Sequence, residues 1–404
     1  MGTVTWDMRL YDVGGSGISA SDPVAGSSNR IWRHFDTAWT VPLNGVDSLN
    51  FSLYLDDPMA AQIKRLRTVV KLWRTVRNNA GSVVYSDSNP CFGGVVSYTN
   101  KSGDANTMNI ICSSPFWRLQ SRFHILNHYL KINVDTGDEY KQSELMWKLI
   151  DLVNNAFGLD DSNTGIIKGT FAAANDPVVA PYFVPKGSNT WANIFDDIMM
   201  RPGGVDIVPE YQHIEGDPGI LVFNTAEKRG GTGATMRYRT GSGDNLDDLT
   251  EEEQPIPGEF ANYLWAVGAG GPNSGKIAME ENIDDDADGY SNIGIYMRRA
   301  DFDNIKKIGL LGPPPTHLRA VANAEFAQSR IPKTNYTCVL SPVGDTHYGA
   351  NFNVGDVVNV IGSKGALNVN VDQRIFQATT SLSPNSLETC ELSLADDFTE
   401  NMVS

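Results

Sequence analysis

The chain lacks the features that mark membrane and exported proteins. No apolar run approaches the ~18 residues that a helix needs to span a bilayer. Residues 1–7 have neither the charged region nor the apolar region of a signal peptide. We therefore expect a chain that does not insert stably into a membrane and is not exported by the general route.

Cysteine and histidine are scarce. Cys91, Cys112, Cys338 and Cys390 form no Cys-x-x-Cys pair, and each lies in or beside an apolar run, where a free cysteine behaves as a small buried hydrophobe. This pattern favours reduced thiols in a protein assembled in a cytosol and leaves a Cys91–Cys112 disulfide open as an alternative. With only six histidines, a zinc site is not expected.

Positive charge is in deficit. The chain has 32 Lys and Arg against 48 Asp and Glu, a formal net charge of −16. An acidic surface repels phosphates, so the charge argues against a protein that grips nucleic acid or an anionic membrane through a basic surface. The same charge is ordinary for a soluble protein.

What is abundant is short apolar runs separated by turn residues. Between residues 69 and 122, runs rich in Val, Ile and aromatics are spaced by clusters of Gly, Asn, Pro and Ser, which predicts consecutive antiparallel strands in a β-meander. Just before them, Leu49, Phe51 and Leu53 alternate with Asn50 and Ser52, the pattern of a half-buried strand. Strand-like runs return at 357–361, 367–372 and 390–394.

Helical periodicity is confined to the middle of the chain. Ser143 is predicted to cap a helix with apolar residues at three- and four-residue spacing up to Gly158, and a second helix is predicted over 189–200. With 404 residues, several domains are expected. The predicted fold class is therefore α+β and mainly β, with small α/β insertions.

Two sequence motifs approach ligand-binding patterns without completing them. Residues 270–276 read Gly-Gly-Pro-Asn-Ser-Gly-Lys, close to a phosphate-binding loop, but Ile277 stands where a magnesium-binding hydroxyl is needed. A glycine-rich hairpin turn explains the stretch better. Asp284, Asp286 and Asp288 match the first half of a calcium loop, but Ile295 occupies the position of its bidentate glutamate. An acidic solvated loop is favoured over a calcium site.

No catalytic constellation is evident. His124 and His128 are four residues apart, but Ile125 takes the place of the glutamate of a metalloprotease helix. Hydrolase and Cys-His protease signatures do not stand out. The sequence therefore predicts no catalytic residues, no cofactor and no metal apart from the weak candidate at 284–288.

The order of elements resembles that of a known family. The stretches that carry the resemblance are 39–44, the strand ending at Asp56-Asp57-Pro58, 69–74, 92–95, 112–122, 318–329, Pro332, the strand near Cys338, 355–358 and the strand ending at Leu394. They resemble the tail-hub, or baseplate-hub, proteins of long-tailed bacteriophages, most closely minor tail proteins of phages of actinobacteria. Each motif is loose, and the specificity lies in their order along nearly the whole chain.

This resemblance implies an architecture of two antiparallel β-barrels similar to those of the tail tube, with inserted α/β segments. The first barrel would be residues 1–121, followed by a small α/β domain at 122–210. The second barrel would combine 211–224 with 335–397, and 225–334 would form an inserted β-rich domain that holds the acidic loop. Three chains would then form a ring of pseudo-sixfold symmetry.

The resemblance also implies a role. Such a hub is a structural virion protein at the tail tip, assembled in the host cytoplasm. It joins the tail-tube or distal-tail ring above to receptor-binding, fibre or puncturing proteins below, with the tape measure protein as a further candidate partner. DNA would pass through its lumen without specific binding. A polar strand face, such as that of Asn368, Asn370 and Asp372, would suit the lumen wall and would equally suit outer solvent.

Two other classes of function remain as alternatives. Eight Trp and 14 Tyr would suit a receptor- or carbohydrate-binding module of the tail tip, although most Trp lie at positions typical of a core. A cell-wall hydrolase fits less well, because no suitable carboxylate pair is found. The sequence thus predicts a protein that is not an enzyme.

Overall fold

The computed structural model describes most of the N-terminal and C-terminal parts of the chain and shorter stretches between them. The described residues are 3–12, 20–22, 26–77, 81–120, 128–130, 140–154, 165–171, 176, 182–184, 205–212, 220–227, 231–241, 243–254, 263–269, 297–306, 322–323, 326, 333–342, 346–383 and 387–395. Most of them lie in strands, which confirms the mainly β class.

Strands account for nearly all the regular structure of the residues that the structure describes. In chain order they are β1 (Thr3–Asp12), β2 (Ala20–Asp22), β3 (Gly26–Ser28), β4 (Arg30–Ile31), β5 (Phe35–Pro42), β6 (Ser48–Tyr54), β7 (Thr68–Arg77), β8 (Val83–Ser86), β9 (Phe92–Ser102), β10 (Thr107–Ser113), β11 (His128–Leu130), β12 (Ile166–Lys168), β13 (Tyr182–Val184), β14 (Val205–Gln212), β15 (Ile220–Glu227), β16 (Gly231–Tyr238), β17 (Leu246–Gln254), β18 (Tyr263–Ala269), β19 (Met297–Lys306), β20 (Lys333–Leu340), β21 (Val357–Lys364), β22 (Leu367–Leu382) and β23 (Glu388–Ala395). The helical elements with described bounds are α1 (Trp117–Gln120), α2 (Gln142–Asn154) and a 3-10 turn (Ala60–Gln62).

The first β unit, which we define as β1 and β4–β10, contains the predicted meander. Its strand order is β5-β6-β10-β9-β7-β1-β4, with β8 paired beside β7. Strands β7, β9 and β10 are neighbours in the antiparallel sheet, and β8 forms a short hairpin with β7. The predicted antiparallel strands are confirmed, but β9 pairs with β7 and not with β8, so the predicted meander order is interrupted at β8.

Alternation along β6 explains which side of this unit forms the core. Leu49, Phe51 and Leu53 are fully buried, whereas Tyr54 is half-exposed. Ser52 is buried although it is polar, because its hydroxyl donates a hydrogen bond of 2.7 Å to Oδ1 of Asn109 on β10. A buried polar group that is paired in this way adds little cost.

The second β unit, which we define as β16, β17 and β20–β23, is continuous with the first. Strand β22 has 16 residues, of which the first half pairs with β21. The second half lies between β23 and β5 and pairs antiparallel with both. Because β5 belongs to the first unit, this ladder joins the two units into one sheet of 14 strands.

Residues 211–224 were expected in the second barrel together with 335–397, but the strands that overlap them do not pair with strands of that region. Strands β14 and β15, which overlap this range, pair with each other and with β12 in a separate three-stranded sheet. Instead, β16 pairs with β21 and β17 pairs with β20 in the second unit. Local alternation predicts that a strand exists, but its partners depend on contacts far away in sequence. The domain boundaries themselves stay a prediction.

The helix predicted after residue 143 is present with a different cap. Helix α2 begins at Gln142, so Ser143 lies inside its first turn. The Ser143 amide donates to Oδ1 of Asp176 at 3.1 Å, and its hydroxyl lies 2.6 Å from that of Thr225. Asp176 therefore satisfies one of the free N-terminal amides of α2, and Ser143 lies within the helix and not at its cap. The buried apolar face of α2 is confirmed at the positions Leu145, Leu149 and Val153.

Apolar side chains from both β units, α2 and the three-stranded sheet form one buried cluster. Ala322, Asn323 and Phe326, the described residues of the stretch 318–329, are helical. Neither α1 nor α2 has the length and apolar composition of a membrane-spanning helix. The helix predicted at 189–200 lies outside the described residues.

Candidate functional site

The candidate functional site is the junction of the two β units, where the ladder between β5 and β22 forms. Six residue pairs make up this ladder, from Gln377 opposite Pro42 to Leu382 opposite Thr37. Phe376 interrupts the pairing of β22 with β23, and its carbonyl accepts a hydrogen bond of 2.7 Å from the Leu43 amide instead. The junction is therefore held by backbone hydrogen bonds.

In addition to the ladder, an ion pair between Arg74 on β7 and Glu388 on β23 connects the two β units at the junction. Nε of Arg74 donates to Oε2 of Glu388 at 2.7 Å, and Nη2 donates to Oε1 of the same carboxylate. Nη1 donates to the carbonyl of Tyr348 at 2.7 Å, and Nε1 of Trp6 donates to Glu388 at 2.9 Å. The Arg74 side chain is 1% exposed and that of Glu388 is 6% exposed.

These contacts keep the guanidinium of Arg74 charged inside the protein. Burial alone would lower the pKa of Arg74, but the hydrogen bonds and the charge of Glu388 outweigh burial and hold that pKa above its ordinary value. Bidentate pairing of a guanidinium with a carboxylate fixes direction as well as distance. The ion pair therefore sets the relative position of β7 and β23.

A second buried ion pair joins β14 to β22. Nη2 of Arg374 contacts Oδ2 of Asp206, and Nε of Arg374 donates to the carbonyl of Gly355 at 3.1 Å. Both side chains are 4% exposed. The three-stranded sheet is thus tied to the long strand that connects the two units.

A buried carboxylic acid, Asp47, lies beside these contacts. The hydroxyl of Tyr211 on β14 donates to Oδ2 of Asp47 at 2.5 Å. Burial raises the pKa of Asp47 from 3.8 to about 7, and the hydrogen bond from Tyr211 opposes that rise. Burial also raises the pKa of Tyr211, so the phenol stays a donor.

A cleft of about 420 Å³ opens where these elements meet. We call it the junction cleft. Its described lining residues are Trp39, Val41, Pro42, Leu43, Asn44, Asp47, 85–91, 207–211, Tyr348, Gly349, Asn353 and Val354. At its edge Nδ2 of Asn89 donates to Oε1 of Glu210 at 3.3 Å, which bridges the β8–β9 connection and β14.

Asp87 is the best-connected carboxylate of the junction cleft. The hydroxyl of Tyr85 donates to its Oδ1 at 2.5 Å, and the backbone amide of Arg74 donates to its Oδ2 at 2.9 Å. Burial raises the pKa of Asp87, while these hydrogen bonds lower it. The carboxylate is thereby held in a fixed orientation at the cleft.

The sheet surface opposite the core runs across both units, and we call it the shared face. One row of paired residues on it is Thr389, Ser381, Ala38, Asn50, Ile111 and Tyr98. The adjacent row is Asp248, Val339, Glu391, Thr379, Thr40, Ser48 and Ser113. Neither row contains Lys or Arg, and hydroxyl and amide side chains dominate.

The two sides of the sheet differ sharply at the junction. Thr380, Trp39, Leu49, Cys112 and Val96 follow one another on five strands, and all five are buried. Alternation along the strands places the rows of the shared face on the other side. The same surface is therefore mainly polar on both units, with Ala38, Ile111 and Val339 as the apolar members of its two rows.

Most of the ligand-binding candidates from the sequence lie outside the described residues. This holds for the phosphate-loop-like stretch 270–276, for Asp284, Asp286 and Asp288, and for His124. His128 lies in strand β11. Among the described residues, no group of three or more metal-ligating side chains is close enough to hold an ion.

The polar faces and the cysteines can be compared directly with expectation. Asn370 and Asp372 are exposed, and both accept hydrogen bonds from Nδ2 of Asn359 on β21, at 3.3 and 2.9 Å.

All four cysteines are free thiols, so the alternative of a Cys91–Cys112 disulfide is wrong. Burial raises the pKa of Cys112 above its ordinary value, as expected for an inert core thiol.

Sequence reasoning missed the residues that build the junction. Arg74 falls in a run that the sequence correctly assigns to a strand, and Glu388 precedes another such run. Arg74 and Glu388 are 314 residues apart in sequence, so no local sequence pattern indicates that their side chains are in contact. A charged residue at an otherwise apolar position of β7 is the one signal that the sequence offers.

Comparison with known proteins extends these observations. No protein-family model and no curated protein sequence matches the chain. Among solved structures, a tail protein from Neisseria meningitidis MC58 is similar over 98% of both chains, with a TM-score of 0.59 and 13% identity. The 43 kDa tail protein of prophage MuSo2 from Shewanella oneidensis is similar over 98% of this chain and 99% of its own, with a TM-score of 0.52 and 13% identity.

A third similar structure is also a prophage tail protein. The prophage tail protein gp18 from Listeria monocytogenes EGD-e matches 97% of this chain and 94% of its own, with a TM-score of 0.50 and 11% identity. At such low identities the likeness concerns the fold alone. The chain has the fold of prophage tail proteins along nearly its whole length.

Proposed function

We propose that the chain is a structural protein of a phage tail and that three copies form the hub at the tail tip. The observation that carries this proposal is the ladder between β5 and β22, which fuses two β units into one sheet. A chain with two fused units supplies six units per trimer, as a continuation of a hexameric tube requires. The closed ring would follow the usual preference of oligomers for rotational symmetry.

The fold shared with prophage tail proteins supports the proposal. The sequence resemblance to hub proteins of long-tailed phages, nearest to minor tail proteins of actinobacterial phages, supports the position in the tail. On this proposal the partners are a tail-tube or distal-tail ring above, receptor-binding, fibre or puncturing proteins below, and the tape measure protein. The site of action is the virion tail tip, after assembly in the host cytoplasm.

The shared face suits the wall of a channel for DNA. Its rows hold Thr40, Asn50, Thr379 and similar side chains, with Glu391 and Asp248 toward one end and no cation. DNA phosphates find no positive partner in these two rows, and the net charge of −16 per chain adds repulsion. DNA would therefore slide past this wall without specific binding.

The buried pair of Arg74 and Glu388 limits how such a channel opens. A hinge between the two β units would have to break this pair and the β5–β22 ladder together. Both are buried, so that motion is costly. Opening would instead take place between subunits or in the segments inserted between the two units.

The proposed role is mechanical and not enzymatic. At the junction, the buried groups Asp47, Arg74 and Glu388 are engaged with Tyr211 or with each other. Such pairing explains their burial as structural support for the junction. The receptor- or carbohydrate-binding role remains the second hypothesis, and retention of glycan or host cells by the purified protein would favour it.

The first test is the mass and symmetry of the purified chain. We expect light scattering to give three times the mass of one chain, and electron-microscope class averages to show a threefold ring with a central hole. A monomer at high concentration, and also after addition of the tail-tube ring, would overturn the hub proposal. Turnover of peptidoglycan by the purified protein would overturn the non-enzymatic part.

A further inference from the structure

The two β units repeat one strand arrangement. Five strands of the first unit, β5, β6, β7, β9 and β10 in chain order, lie in the sheet in the order β5-β6-β10-β9-β7. Five strands of the second unit, β17, β20, β21, β22 and β23, lie in the order β17-β20-β23-β22-β21. Both orders are first-second-fifth-fourth-third, and every neighbouring pair is antiparallel in both units. Strand β17 therefore corresponds to β5, and β9 corresponds to β22.

Irregularities of the ladders repeat as well. In each unit the fourth strand pairs with the third over its first part and with the fifth over its second part. The fourth strand skips one residue in its ladder with the fifth, Ser97 in β9 and Phe376 in β22. The first strands, β5 and β17, both have a register shift in their ladders with the second strands. A bulge is a specific feature of a strand pair, so these matches support the correspondence.

The turn before each third strand also matches. Leu66, two residues before β7, donates its amide to the Val96 carbonyl at 2.8 Å. Gly355, two residues before β21, donates its amide to the Ile375 carbonyl at 2.8 Å. The φ angles of the two donors are both positive, 61° and 91°, and both acceptors directly precede the skipped residue. The two units therefore correspond in backbone detail as well as in strand order.

The junction ladder of the chain has a counterpart of which each chain holds the two separate halves. Within the chain, β5 adds to the second half of β22, at residues 377–382. The matching stretch of β9, residues 98–102, pairs with β10 on one side, and no strand of the described ranges pairs with its other side. Strand β17 pairs with β20 on one side and with no described strand on the other. An open strand edge presents N–H and C=O groups that can pair with another chain.

A side chain marks the position at which an added strand would bond to β9. In the β5–β22 ladder, the carbonyl of the skipped residue Phe376 accepts from the Leu43 amide at 2.7 Å. The carbonyl of the skipped residue Ser97 accepts instead from Nε of Arg65 at 2.8 Å. An exposed side chain thus takes, at β9, the hydrogen-bond position that a neighbouring strand fills at β22.

The two open edges carry opposite charge. Residues 240–254 include no Lys or Arg, and the exposed acidic side chains of β17 are Asp247, Asp248, Glu251 and Glu252. The turn 64–67 is bonded to β9 through the Leu66 amide. The exposed cations of this turn and of β9 are Lys64, Arg65, Arg67 and Lys101. The stretch 92–106 has one acidic residue, Asp104, beyond the end of β9. Complementary charges of this kind select which surfaces meet and disfavour wrong pairs.

We propose that β17 of one chain adds as an antiparallel strand to residues 98–102 of β9 in a second copy of the chain. Each contact between copies would then repeat the β5–β22 ladder that exists within one copy. Such a contact is heterologous, so it generates a ring when its rotation closes. The number of copies in the ring rests on the proposed function. The net charge of −16 does not prevent the contact, because exposed charges more than about 8 Å apart are largely screened at physiological salt.

The test reverses the charge of each edge in the full chain. K64E/K101E places anions beside β9 and lowers the net charge, whereas D247K/E252K places cations on β17 and raises it. Each variant opposes like charges across the contact, so light scattering should show self-association weakened at least tenfold in both. The variant with all four substitutions opposes unlike charges again and should associate within about threefold of wild type. All four side chains are exposed, so circular dichroism should show an unchanged fold.

Hydrogen exchange tests the backbone part of the contact. The amides of residues 98–102 should exchange more slowly in the wild-type assembly than in D247K/E252K, because an added strand protects them. Equal exchange in the two proteins would overturn the ladder.

The association measurements separate this inference from the hub itself. Opposite changes in the two double variants would show that only net charge matters and would overturn the inference, as would a variant with all four substitutions that does not recover. A threefold ring that every variant forms equally well would keep the hub and overturn the ladder. An assembly of another copy number with the same loss and recovery would keep the ladder and overturn the threefold hub. A wild-type chain that stays monomeric, alone and with the tail-tube ring, would overturn both.

Discussion

Arg74 and Glu388 are 314 residues apart in the chain, and their side chains form a bidentate ion pair that is almost completely buried. Each residue belongs to a different β unit, so the pair ties the first unit to the second away from the β5–β22 ladder. A buried charge that loses its partner keeps its desolvation cost. The pair is therefore a point at which a single substitution affects both units.

The first prediction concerns this pair. Glu388→Gln keeps the shape of the side chain and leaves the Arg74 charge uncompensated, so we expect the free energy of unfolding to fall by about 3 to 5 kcal/mol. Urea titration followed by circular dichroism measures this loss. The control is Asp151→Asn in the half-exposed pair with Lys148, where we expect a change within about 0.5 kcal/mol. Equal effects of the two substitutions would contradict the prediction.

The sequence predicts the parts of this fold that depend on local pattern. The alternation of Leu49, Phe51 and Leu53 predicts β6, and the apolar run around Val70 predicts β7, because burial of one strand face leaves a period of two. Gln142, one residue before the predicted cap Ser143, begins α2. The residues within and directly beside each of these elements are enough to predict it.

The same reasoning could not predict the candidate site. Asp47 meets Tyr211 and Arg374 meets Asp206 across more than 160 residues of sequence. An isolated Asp in a turn or an Arg in a strand is usually solvated, so the residue type alone does not predict that these side chains are buried. The partner strands of β14 and β15 were missed for the same reason. Such pairings are decided by tertiary contacts and not by the period of the pattern.

The second prediction concerns the buried acid Asp47. Its pKa is raised from 3.8 to about 7 by burial, so the folded protein holds a proton that the unfolded chain releases above pH 4. The wild-type chain should therefore lose stability as the pH rises from about 4 to 7, by at most about 1.4 kcal/mol per pH unit, with no further loss above the folded pKa. Asp47→Asn has no proton to lose and should lack this slope.

Thermal or urea unfolding of both proteins at several pH values between 4 and 8 measures the difference. The stability of Asp47→Asn relative to wild type should rise through this range and then level off. Oδ1 of the asparagine still accepts from Tyr211, so the variant keeps the hydrogen bond. A constant difference at every pH would show that Asp47 does not titrate in this way.

The third prediction compares two glycines of the β9–β10 hairpin. A Cβ atom at Gly94 would lie 2.6 Å from the carbonyl oxygen of Ser113 and 2.4 Å from the Phe92 ring, so Gly94→Ala should destabilise the protein by about 1 to 3 kcal/mol. A Cβ atom at Gly103 meets nothing within 4 Å. Gly103→Ala should therefore be neutral or slightly stabilising. Melting temperatures of the two variants check the contrast, and similar losses at both positions would refute it.

The last prediction tests whether the shared face lines a channel. The hydroxyls of Thr379 and Thr40 lie 3.3 Å apart near the middle of that face. Thr379→Lys would place one positive charge per chain there, and three in a trimeric ring. If the face lines the lumen, these charges point at the path of DNA, and the ring should retain duplex DNA at low salt.

This retention should weaken with salt, because phosphate contacts release counterions, with a slope of about 0.9 per neutralised phosphate. Fluorescence anisotropy of labelled DNA with the purified ring measures it. Gln62→Lys adds the same charge in the exposed 3-10 turn, outside both rows of the shared face. If the face lines the lumen, Thr379→Lys should slow DNA release from the ring far more than Gln62→Lys does. The reason is that the three lysines of a trimeric ring would then face the DNA from three sides. Equal effects of the two variants would mean that Thr379 faces outer solvent, and the channel wall would then have to be sought on another surface.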